Sequence, residues 1–394
     1  MKKIKSFTLL FIIGYISYCL VYIGRLNLSI AYTGLSEITS TQYGYITSAF
    51  LIAFSCGRLI NGIIGDKVHP RYMLYIGLTL SGISNASLSF LPSFAFFIIL
   101  WSINGYAQSM LWGSLLSYIS FVSPKDKKVK SVSYLVSSVA VGSVIGLLIA
   151  TFATTHFGAR AAFLIPGILA TLLAFLPLLT FSEKMNVSKN ENIKHISIFS
   201  MLRTPCICVM LIPAVLHGVI KDNISAWAPK FFQLNYGFTL SQMQLFVYII
   251  PVIGMLGRLA YPSIYKLFKT NENMVSIFSA FFCFVSILPL IFGVKNIIVA
   301  AICLCFTNAA INVINTSLLS MFPIKFSKSG NVSSVTGIMD FFTYLGAGIG
   351  SAIYGRTLID GNFNFMFYSW IFIALAISII LFIIIRSKNL QKVD

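Results

Sequence analysis

Two segments, one in each half of the chain, carry the same polar residue types at the same spacing. Residues 25–29 read Arg-Leu-Asn-Leu-Ser and residues 221–225 read Lys-Asp-Asn-Ile-Ser, each inside a strongly apolar stretch. A Lys or Arg at the centre of a membrane costs roughly 2.5 to 3.5 kcal/mol on insertion scales. Two such cations at matching positions need a partner, and one anion bound by both halves would provide it. The pattern therefore predicts a pathway for an anionic solute.

Apolar runs long enough to cross a bilayer account for most of the chain. Of its 394 residues, 57% are hydrophobic and only 10% are charged, which is the composition of a polytopic membrane protein. About 20 apolar residues cross the hydrocarbon core as a helix. We predict an all-α integral membrane protein with twelve transmembrane helices, over residues 7–35, 43–65, 72–91, 94–122, 131–157, 160–181, 206–232, 240–265, 274–294, 296–322, 331–356 and 363–386.

The longest polar stretch, residues 182–205, divides these spans into two sets of six. We predict an N-terminal bundle over residues 1–181, a cytoplasmic linker over 182–205 and a C-terminal bundle over 206–394. The halves share a second motif, because residues 57–59 and 257–259 both read Gly-Arg-Leu. Parallel halves of this kind hold the solute site between them near the bilayer midplane and expose it to either side by rocking. The repeat therefore predicts alternating access.

The net charge of +18 indicates membrane orientation rather than nucleic-acid binding. The predicted outer loops hold Arg160, Lys230, Lys295 and Arg356, and most other Lys and Arg residues fall in the opposite loops or at the termini. Because Lys and Arg concentrate in cytoplasmic loops, we predict a multi-pass protein with both termini in the cytoplasm. The short loops between the spans favour a bacterial plasma membrane. The basic side can also attract anionic lipid. A nucleic-acid partner would need a soluble basic face with exposed aromatic residues, and none is predicted.

Neither an enzyme nor a metal site is indicated. All seven Cys residues fall in apolar spans, and the members of each C-x-C pair point away from each other on a helix. Disulfides and metal ligation are therefore not predicted. The basic N-terminus precedes an apolar stretch that is too long for a signal peptide and contains Arg25, so we interpret it as the retained first helix. We predict a monomer without a cofactor.

The loop between the second and third spans carries a family motif. Residues 62–71 read Gly-Ile-Ile-Gly-Asp-Lys-Val-His-Pro-Arg and resemble the G-x-x-x-D-[RK] cytoplasmic loop motif of the major facilitator superfamily. The resemblance extends over the whole chain, with its twelve spans and two halves. It implies that Asp66, Lys67 and Arg71 latch the cytoplasmic side in one state. In the second half Lys266 stands where Asp66 would fall, so a second latch must be built differently.

Within the superfamily, the form Asp-Lys-x-x-Pro-Arg looks most like the organophosphate:phosphate antiporters, which include glycerol-3-phosphate and hexose-phosphate carriers. Their tyrosine-rich first helix, which leads to an Arg and an Asn, resembles Tyr18, Tyr22, Arg25 and Asn27. The first three of these lie on one helical face. Their other motifs resemble Asn104-Gly-Tyr-Ala-Gln108 on helix four, Lys221 with the following Trp227-Ala-Pro on helix seven, and Tyr344-Leu-Gly on helix eleven.

Three positions differ from the glycerol-phosphate carriers. Ser137 stands where those carriers place a His on helix five, and Leu26 replaces the Lys that follows their first Arg. The second cation is Lys221 rather than Arg. One half therefore offers a planar fork that can bind two phosphate oxygens, and the other offers a point charge. A phosphate monoester or inorganic phosphate fits that pair.

The resemblance implies a transporter that exchanges a phosphorylated organic anion for inorganic phosphate by alternating access. In this interpretation Arg25 and Lys221 bind the anion. The other predicted binding residues are Tyr18, Tyr22, Asn27, Asn104, Gln108, Ser137, Trp227 and Tyr344, and the predicted gating or coupling residues are Asp66, Lys67, Arg71, Asp222 and Asp340. Asp222 and Asp340 can instead pair internally with the two cations. Asp340 is either a salt-bridge partner or a proton-coupling group.

Two other functions stay open. The first helix also resembles the Arg-x-Asn-Leu-Ser-x-Ala motif of the organic anion:cation symporters, which carry carboxylates, although Gly24 stands where those proteins have an acid. A membrane sensor that binds hexose phosphate without transporting it is the second alternative. Proton-driven carboxylate uptake would indicate the first, and binding without exchange would indicate the second.

Overall fold

The computed structural model describes residues 7–65, 68–91, 93–124, 128–181, 203–269, 271–326, 332–358 and 361–387, and these residues are predominantly helical. The helices of the first half are α1 (Phe7–Ala31), α2 (Ser40–Gly65), α3 (Pro70–Leu88), α4 (Phe94–Ser109), α5 (Leu111–Val122), α6 (Lys128–Phe157), α7 (Ala161–Leu173) and α8 (Phe175–Thr180). Those of the second half are α9 (Pro205–Tyr236), α10 (Leu240–Leu267), α11 (Glu272–Ile291), α12 (Ile297–Thr316), α13 (Phe322–Ile324), α14 (Val332–Thr357) and α15 (Asn364–Arg386). Helical residues cover each of the twelve predicted spans.

Three of the spans contain a break that the hydropathy pattern does not show. The fourth span consists of α4 and α5, which separate at Met110, and the sixth consists of α7 and α8, which separate at Ala174. Pro177 follows the second break, and a proline ring clashes with the carbonyl four residues earlier. The tenth span passes through a π-helical turn, Ser317–Met321, just before Pro323. Proline therefore accounts for two of the three breaks.

Ten described helices are long and apolar enough to cross a membrane. The predicted spans that fall outside this group are α3 and α14. α3 buries Ser81, Ser84 and Asn85, and α14 carries Asp340. Polar residues inside membrane helices are costly and mark functional regions. These two helices contribute to the clusters described below.

The chain divides into two compact units, one of residues 1–42 with 49–189 and the other of residues 43–48 with 190–394. In the first unit α1 packs along α6 and α3 packs along α7. In the second unit α9 packs along α14 and α11 along α15. The first span thus pairs with the fifth, and the third with the sixth, in each unit. This shared pairing agrees with the repeat seen in the sequence. Most of the predicted linker, 182–205, lies outside the described residues, so its boundaries stay predictions.

The core of the first unit is a cluster of apolar side chains from α1, α3, α5 and α6. It includes Leu10, Leu78, Leu115, Ile119 and Leu135, each at most 1% exposed. Lipid tails are as apolar as these side chains, so close packing rather than the hydrophobic effect holds such helices together. The cluster fixes α1, the helix that carries Arg25.

Candidate functional site

Arg25 on α1 is surrounded by aromatic rings. Its guanidinium carbon lies 5.8 Å from the ring centre of Tyr22, 5.2 Å from that of Phe50 and 5.0 Å from that of Phe54. A cation over an aromatic face gains roughly 0.5 to 2 kcal/mol, more as the pair is desolvated. Stacking uses the faces of the guanidinium, whereas phosphate oxygens bind at its N–H edge. The aromatic surroundings of Arg25 are therefore compatible with anion binding.

Tyr18, Tyr22 and Arg25 were predicted to lie on one face of α1, and in the structure Tyr18 is more deeply packed within the unit. The ring of Tyr18 meets that of Tyr22 edge-on at 5.8 Å and lies 4.7 Å from Trp112 on α5. Tyr18 is 7% exposed. Tyr22 is thus the tyrosine next to the guanidinium, and Tyr18 supports it from within the unit.

A second arginine lies against the same aromatic group. The guanidinium carbon of Arg58 is 5.1 Å from the ring centre of Phe54, which also faces Arg25. Phe50, Phe54 and Arg58 are four residues apart on α2 and so share one helical face. No role was predicted for Phe50 and Phe54 from the sequence, because the chain contains 35 Phe residues and their spacing alone does not single out any of them.

Three predicted binding residues, Asn27, Asn104 and Gln108, are at most 1% exposed. Asn104 Nδ2 donates to the Gly24 carbonyl oxygen at 2.9 Å, and Gln108 Nε2 donates to the same oxygen at 3.3 Å. Asn27 Nδ2 donates to Asn85 Oδ1 at 2.8 Å. Buried amides need such partners, because each unmade hydrogen bond costs about 1 to 3 kcal/mol. Asn104 and Gln108 therefore bind the peptide group that joins Gly24 to Arg25, and Asn27 is linked to that group through Asn85.

Ser137, the residue in place of the carriers' histidine, lies on α6 and contacts α1 at Tyr15 rather than near Arg25. Its hydroxyl donates to the Tyr134 carbonyl at 2.7 Å and lies 3.0 Å from the hydroxyl of Tyr15. Tyr15 precedes Arg25 by ten residues, which is about 15 Å along a helix. Ser137 therefore joins α6 to α1 well away from the backbone of Arg25.

In the second unit, the structure brings together Lys221, Asp222 and Tyr344, which the sequence analysis named as binding or coupling residues. Lys221 Nζ lies 3.1 Å from Asp222 Oδ2, and the Lys221 and Asp222 side chains are 11% and 18% exposed. The same nitrogen is 3.5 Å from the Tyr344 hydroxyl and 4.5 Å from the Tyr344 ring centre. The internal ion pair foreseen as an alternative is thus present in this structure. An anion must compete with Asp222 for Lys221.

Close contact between α9 and α14 brings these residues together. A side chain at Gly218 would clash with the backbone of Thr343, so the two helices touch through their main chains here. Tyr344 follows that contact directly, and Asp340 precedes Tyr344 by one helical turn on the same face. The glycine therefore sets the distance between Tyr344 and Lys221.

Trp227, also predicted to bind the solute, is completely buried in the second unit. Its indole N–H donates to Asn223 Oδ1 at 3.2 Å. Asn223 Nδ2 in turn donates to the Ala347 carbonyl at 3.1 Å. The ring of Tyr43 meets the indole edge-on at 4.7 Å. Trp227 is thus part of the packing of the second unit in this structure.

The predicted latch is only partly visible, because Asp66 and Lys67 lie outside the described residues. Arg71 lies in the first turn of α3, where its Nη2 donates to the Tyr72 hydroxyl at 2.6 Å and its guanidinium carbon lies 4.5 Å from the Tyr72 ring centre. Arg71 therefore has an aromatic neighbour of its own.

The second unit has an acidic residue, Glu272, six residues after Lys266, the position equivalent to Asp66. Glu272, in the first turn of α11, forms an ion pair with Lys325, which follows α13. The Glu272 carbonyl also accepts a hydrogen bond from Ser317 Oγ at 2.7 Å. The second unit thus has an ion pair between α11 and the end of the tenth span.

Comparison with known proteins identifies the family. The profile described as Major Facilitator Superfamily matches residues 14–351. The glycerol-3-phosphate transporter of Bacillus subtilis is 22% identical over 395 aligned positions, covering 89% of this chain and 85% of that protein. A probable hexose phosphate transport protein of Chlamydia trachomatis is 27% identical over 135 residues, which is 34% of this chain and only 30% of that protein's length. The membrane sensor protein UhpC of Escherichia coli is 22% identical, covering 85% of this chain and 82% of UhpC.

Solved structures share the fold. The nucleoside transporter NupG superposes with a TM-score of 0.75 at 14% identity, covering 98% of this chain and 99% of that one. A D-xylose-proton symporter gives 0.74 at 15% identity, covering 96% of this chain and 97% of that one. At these identities the likeness concerns the fold alone.

These findings confirm the resemblance to the organophosphate:phosphate antiporters and a multi-pass membrane protein rather than an enzyme. The chain belongs to the Major Facilitator Superfamily.

Proposed function

We propose that this protein is a secondary active transporter that exchanges a phosphorylated organic anion, a sugar phosphate or glycerol phosphate, for inorganic phosphate. The observation that carries the proposal is the pair of cations, Arg25 and Lys221, at matching positions of the two repeats. Each lies in an apolar span and beside an aromatic side chain that carries a hydroxyl group. Relatives described as a glycerol-3-phosphate transporter and, in mouse, a glucose-6-phosphate exchanger support the substrate class.

The two cations suit a phosphate group. A phosphate monoester carries about −1.5 to −2 charges at neutral pH, because its second pKa is about 6. The guanidinium of Arg25 can bind two of its oxygens in parallel, and the ammonium of Lys221 can bind a third. Tyr22 and Tyr344 lie beside the respective cations and supply hydroxyl donors. Two cations then neutralise one dianion.

Exchange follows from the cost of the empty state. A charged side chain inside the membrane is costly unless its charge is balanced, so we expect a carrier without a bound anion to change state more slowly than a loaded one. A bound anion shifts the equilibrium between states by its difference in affinity for them. Inorganic phosphate and its esters share the same head group, so either can permit the change. This favours obligate exchange.

Orientation belongs to the same proposal. We expect the protein in the cytoplasmic membrane of a bacterium with both termini inside, because Lys and Arg concentrate in the loops on that side. Bacterial relatives support the location. The interior would then contain the predicted linker and the Glu272–Lys325 ion pair. Both cations belong to one chain, so we propose that the protein acts as a monomer.

One relative favours a second function. The membrane sensor UhpC aligns over 85% of this chain at the same 22% identity as the Bacillus transporter, so a sensor of phosphorylated sugars fits the similarity equally well. A sensor binds its ligand without moving it. Binding and exchange must therefore be measured separately.

The decisive experiment uses purified protein in liposomes loaded with unlabelled phosphate. Uptake of labelled phosphate, glycerol-3-phosphate and glucose-6-phosphate is measured in the wild type, Arg25→Ala and Lys221→Ala. The matched control is Arg160→Ala, which removes an exposed arginine paired with Glu37 at 3.1 Å. We expect uptake that needs internal phosphate and both cations, and that Arg160→Ala leaves intact. Binding without exchange would establish the sensor instead, and uptake of carboxylates driven by a proton gradient would overturn the phosphate assignment.

A further inference from the structure

One backbone oxygen in the first unit accepts an unusual number of side-chain hydrogen bonds. The Gly24 carbonyl receives Asn104 Nδ2 at 2.9 Å, Asn85 Nδ2 at 3.2 Å and Gln108 Nε2 at 3.3 Å. This carbonyl belongs to the peptide group that joins Gly24 to Arg25. Three buried amides from α3 and α4 therefore hold the peptide from which Arg25 projects.

The network extends beyond that oxygen and joins four helices. Asn85 Oδ1 accepts from Asn27 Nδ2 at 2.8 Å, and Asn27 Nδ2 also donates to the Ala162 carbonyl on α7 at 3.0 Å. Ser81 Oγ donates to Asn104 Oδ1 at 2.5 Å. The amide cluster is defined as Asn27, Ser81, Asn85, Asn104 and Gln108, all at most 3% exposed.

Asn85 joins the two parts of the amide cluster. It donates to the Gly24 carbonyl on α1 and to the Ser81 carbonyl on its own helix, and it accepts from Asn27. A side-chain carbon on Gly24 would lie only 3.3 Å from Asn85 Nδ2, so glycine allows this approach. The family motifs that pointed to Asn104 and Gln108 do not include this residue.

A need for stability does not explain the cluster. Interhelical hydrogen bonds in membranes are weak on average, because the separated helices also find partners. An apolar core of the same shape would pack the helices without the risk of orphaned amides. The cluster instead converges on one peptide group, next to the cation that we assign to the anion. Convergence on that peptide points to a positioning role.

We propose that the amide cluster positions Arg25 for anion binding, with Asn85 as the central positioning residue. The inference rests on the proposed function, in which Arg25 binds phosphate. Bidentate binding by a guanidinium is directional, so it requires a fixed origin for a long side chain. The rings of Phe50 and Phe54 fix the far end of that side chain, and the cluster fixes its near end.

The test compares Asn85→Leu with a matched amide in the other unit. Leucine has the same branched arrangement of side-chain heavy atoms but leaves the Gly24 carbonyl with two of these three amide donors. The control is Asn308→Leu, which removes a buried amide that donates to the Ile250 carbonyl at 2.8 Å. Exchange of labelled phosphate is measured in liposomes with the full-length protein. We expect the KM for phosphate to rise about tenfold in Asn85→Leu and less than twofold in Asn308→Leu. Equal losses in the two variants would overturn the inference.

A double-mutant cycle separates positioning from general packing. If Asn85 acts through Arg25, Asn85→Leu adds less than a twofold loss in an Arg25→Lys background and keeps its full effect in a Lys221→Arg background. Additive losses in both backgrounds would contradict the inference. If Asn85→Leu does not fold, Gln108→Met is carried through the same cycle, since it removes the longest of the three hydrogen bonds to Gly24.

The same data keep the two proposals apart. Phosphate exchange that is unchanged by Arg25→Ala would refute the proposed function itself. An effect of Arg25→Lys together with no effect of Asn85→Leu or Gln108→Met would refute only the positioning role.

Discussion

Arg25 and Lys221 occupy matching positions in the two repeats, yet their surroundings differ. Three aromatic rings, those of Tyr22, Phe50 and Phe54, surround the guanidinium of Arg25. Lys221 is instead 3.1 Å from the carboxylate of Asp222. A guanidinium is delocalised and weakly hydrated, so ring faces suit it, whereas a compact ammonium is strongly hydrated and calls for a carboxylate. Both cations therefore lie beside aromatic rings, and at Lys221 the adjacent residue also supplies a competing anion.

The amide pairs of the two units differ in a related way. Asn104 and Gln108 on α4 are four residues apart, as are Asn308 and Asn312 on α12. The α4 pair donates to the Gly24 carbonyl on α1. In the α12 pair, Asn308 donates to Ile250 on α10, and Asn312 accepts from Arg258 Nε at 2.7 Å. The amide pairs thus lie at matching positions of the two repeats, but the α4 pair binds α1 and the α12 pair binds α10.

The largest expected effects are those of Arg25→Ala and Lys221→Ala, which should lower exchange alike but differ in stability. Arg25→Ala and Lys221→Ala should each reduce phosphate exchange about 100-fold, since each removes charge-assisted hydrogen bonds worth about 1.5 to 3 kcal/mol apiece. Lys221→Ala also leaves the largely buried carboxylate of Asp222 without this cation, and breaking a buried pair costs about 3 to 5 kcal/mol before the remaining exposure is considered. Thermal unfolding in detergent should therefore show a lower Tm for Lys221→Ala than for Arg25→Ala. Recovery of Tm in Lys221→Ala/Asp222→Ala without recovery of exchange would assign the loss of stability to the carboxylate of Asp222. Equal Tm values for the single variants would contradict this difference between the two cations.

Substitution of Arg25 by lysine and of Lys221 by arginine should change the KM for phosphate by different amounts. Arg25→Lys loses the planar fork and the stacking on Phe50 and Phe54, so we expect about a tenfold rise in the KM for phosphate. Lys221→Arg keeps a charge beside Asp222, which an arginine can also bind, so we expect less than a threefold change. Labelled phosphate exchange at varied external phosphate measures both. Greater tolerance at position 25 than at 221 would contradict our account of the two sites.

Removal of the competing carboxylate should strengthen binding. In Asp222→Asn, phosphate no longer displaces an internal anion from Lys221, so we expect about fivefold tighter equilibrium binding of labelled phosphate. The same change should slow exchange, because release becomes slower. Asp340→Asn on α14 is the matched control, since it removes a carboxylate on the face of Tyr344 and keeps the 3.1 Å contact between Lys221 and Asp222. Weaker binding in Asp222→Asn would show that the carboxylate supports the anion site.

The smallest effects concern the aromatic neighbours. Phe54→Leu removes one ring face from Arg25, so we expect about a threefold rise in the KM for phosphate, in line with a cation–π contribution of about 0.5 to 1 kcal/mol. Tyr344→Phe keeps the ring beside Lys221 and removes only a hydroxyl at 3.5 Å, so less than a twofold rise is expected. Kinetics of phosphate exchange distinguish the two. A larger loss in Tyr344→Phe would assign the hydroxyl a direct contact with the anion.

The sequence predicted the twelve spans well because bilayer thickness and hydropathy determine them directly. It also grouped Lys221, Asp222 and Tyr344, which the fold brings together. The breaks at Met110 and Ala174 did not appear in the predicted spans, because an apolar run continues across each one. Local geometry, including the position of Pro177, decides where the helix is interrupted.

The residues that support Arg25 were harder to find. Phe50 and Phe54 belong to another helix, and nothing in their spacing distinguishes them from other aromatic residues. Asn27, Asn104 and Gln108 were predicted to bind the solute because they match family motifs, but the hydrogen-bond partners of their amide groups depend on tertiary contacts. Asn85 lies outside those motifs. Its signal was an amide inside a predicted span, one turn after Ser81, where a polar side chain needs a buried partner.

Equilibrium binding of labelled phosphate to the purified protein tests most directly whether both cations bind the same anion. The set comprises the wild type, Arg25→Ala, Lys221→Ala and the double variant, with Arg160→Ala as control. We predict that each single variant weakens binding at least 30-fold and that the double variant is little worse than either, because one dianion uses both cations. Near wild-type affinity in either single variant would contradict the account, as would losses that multiply in the double variant.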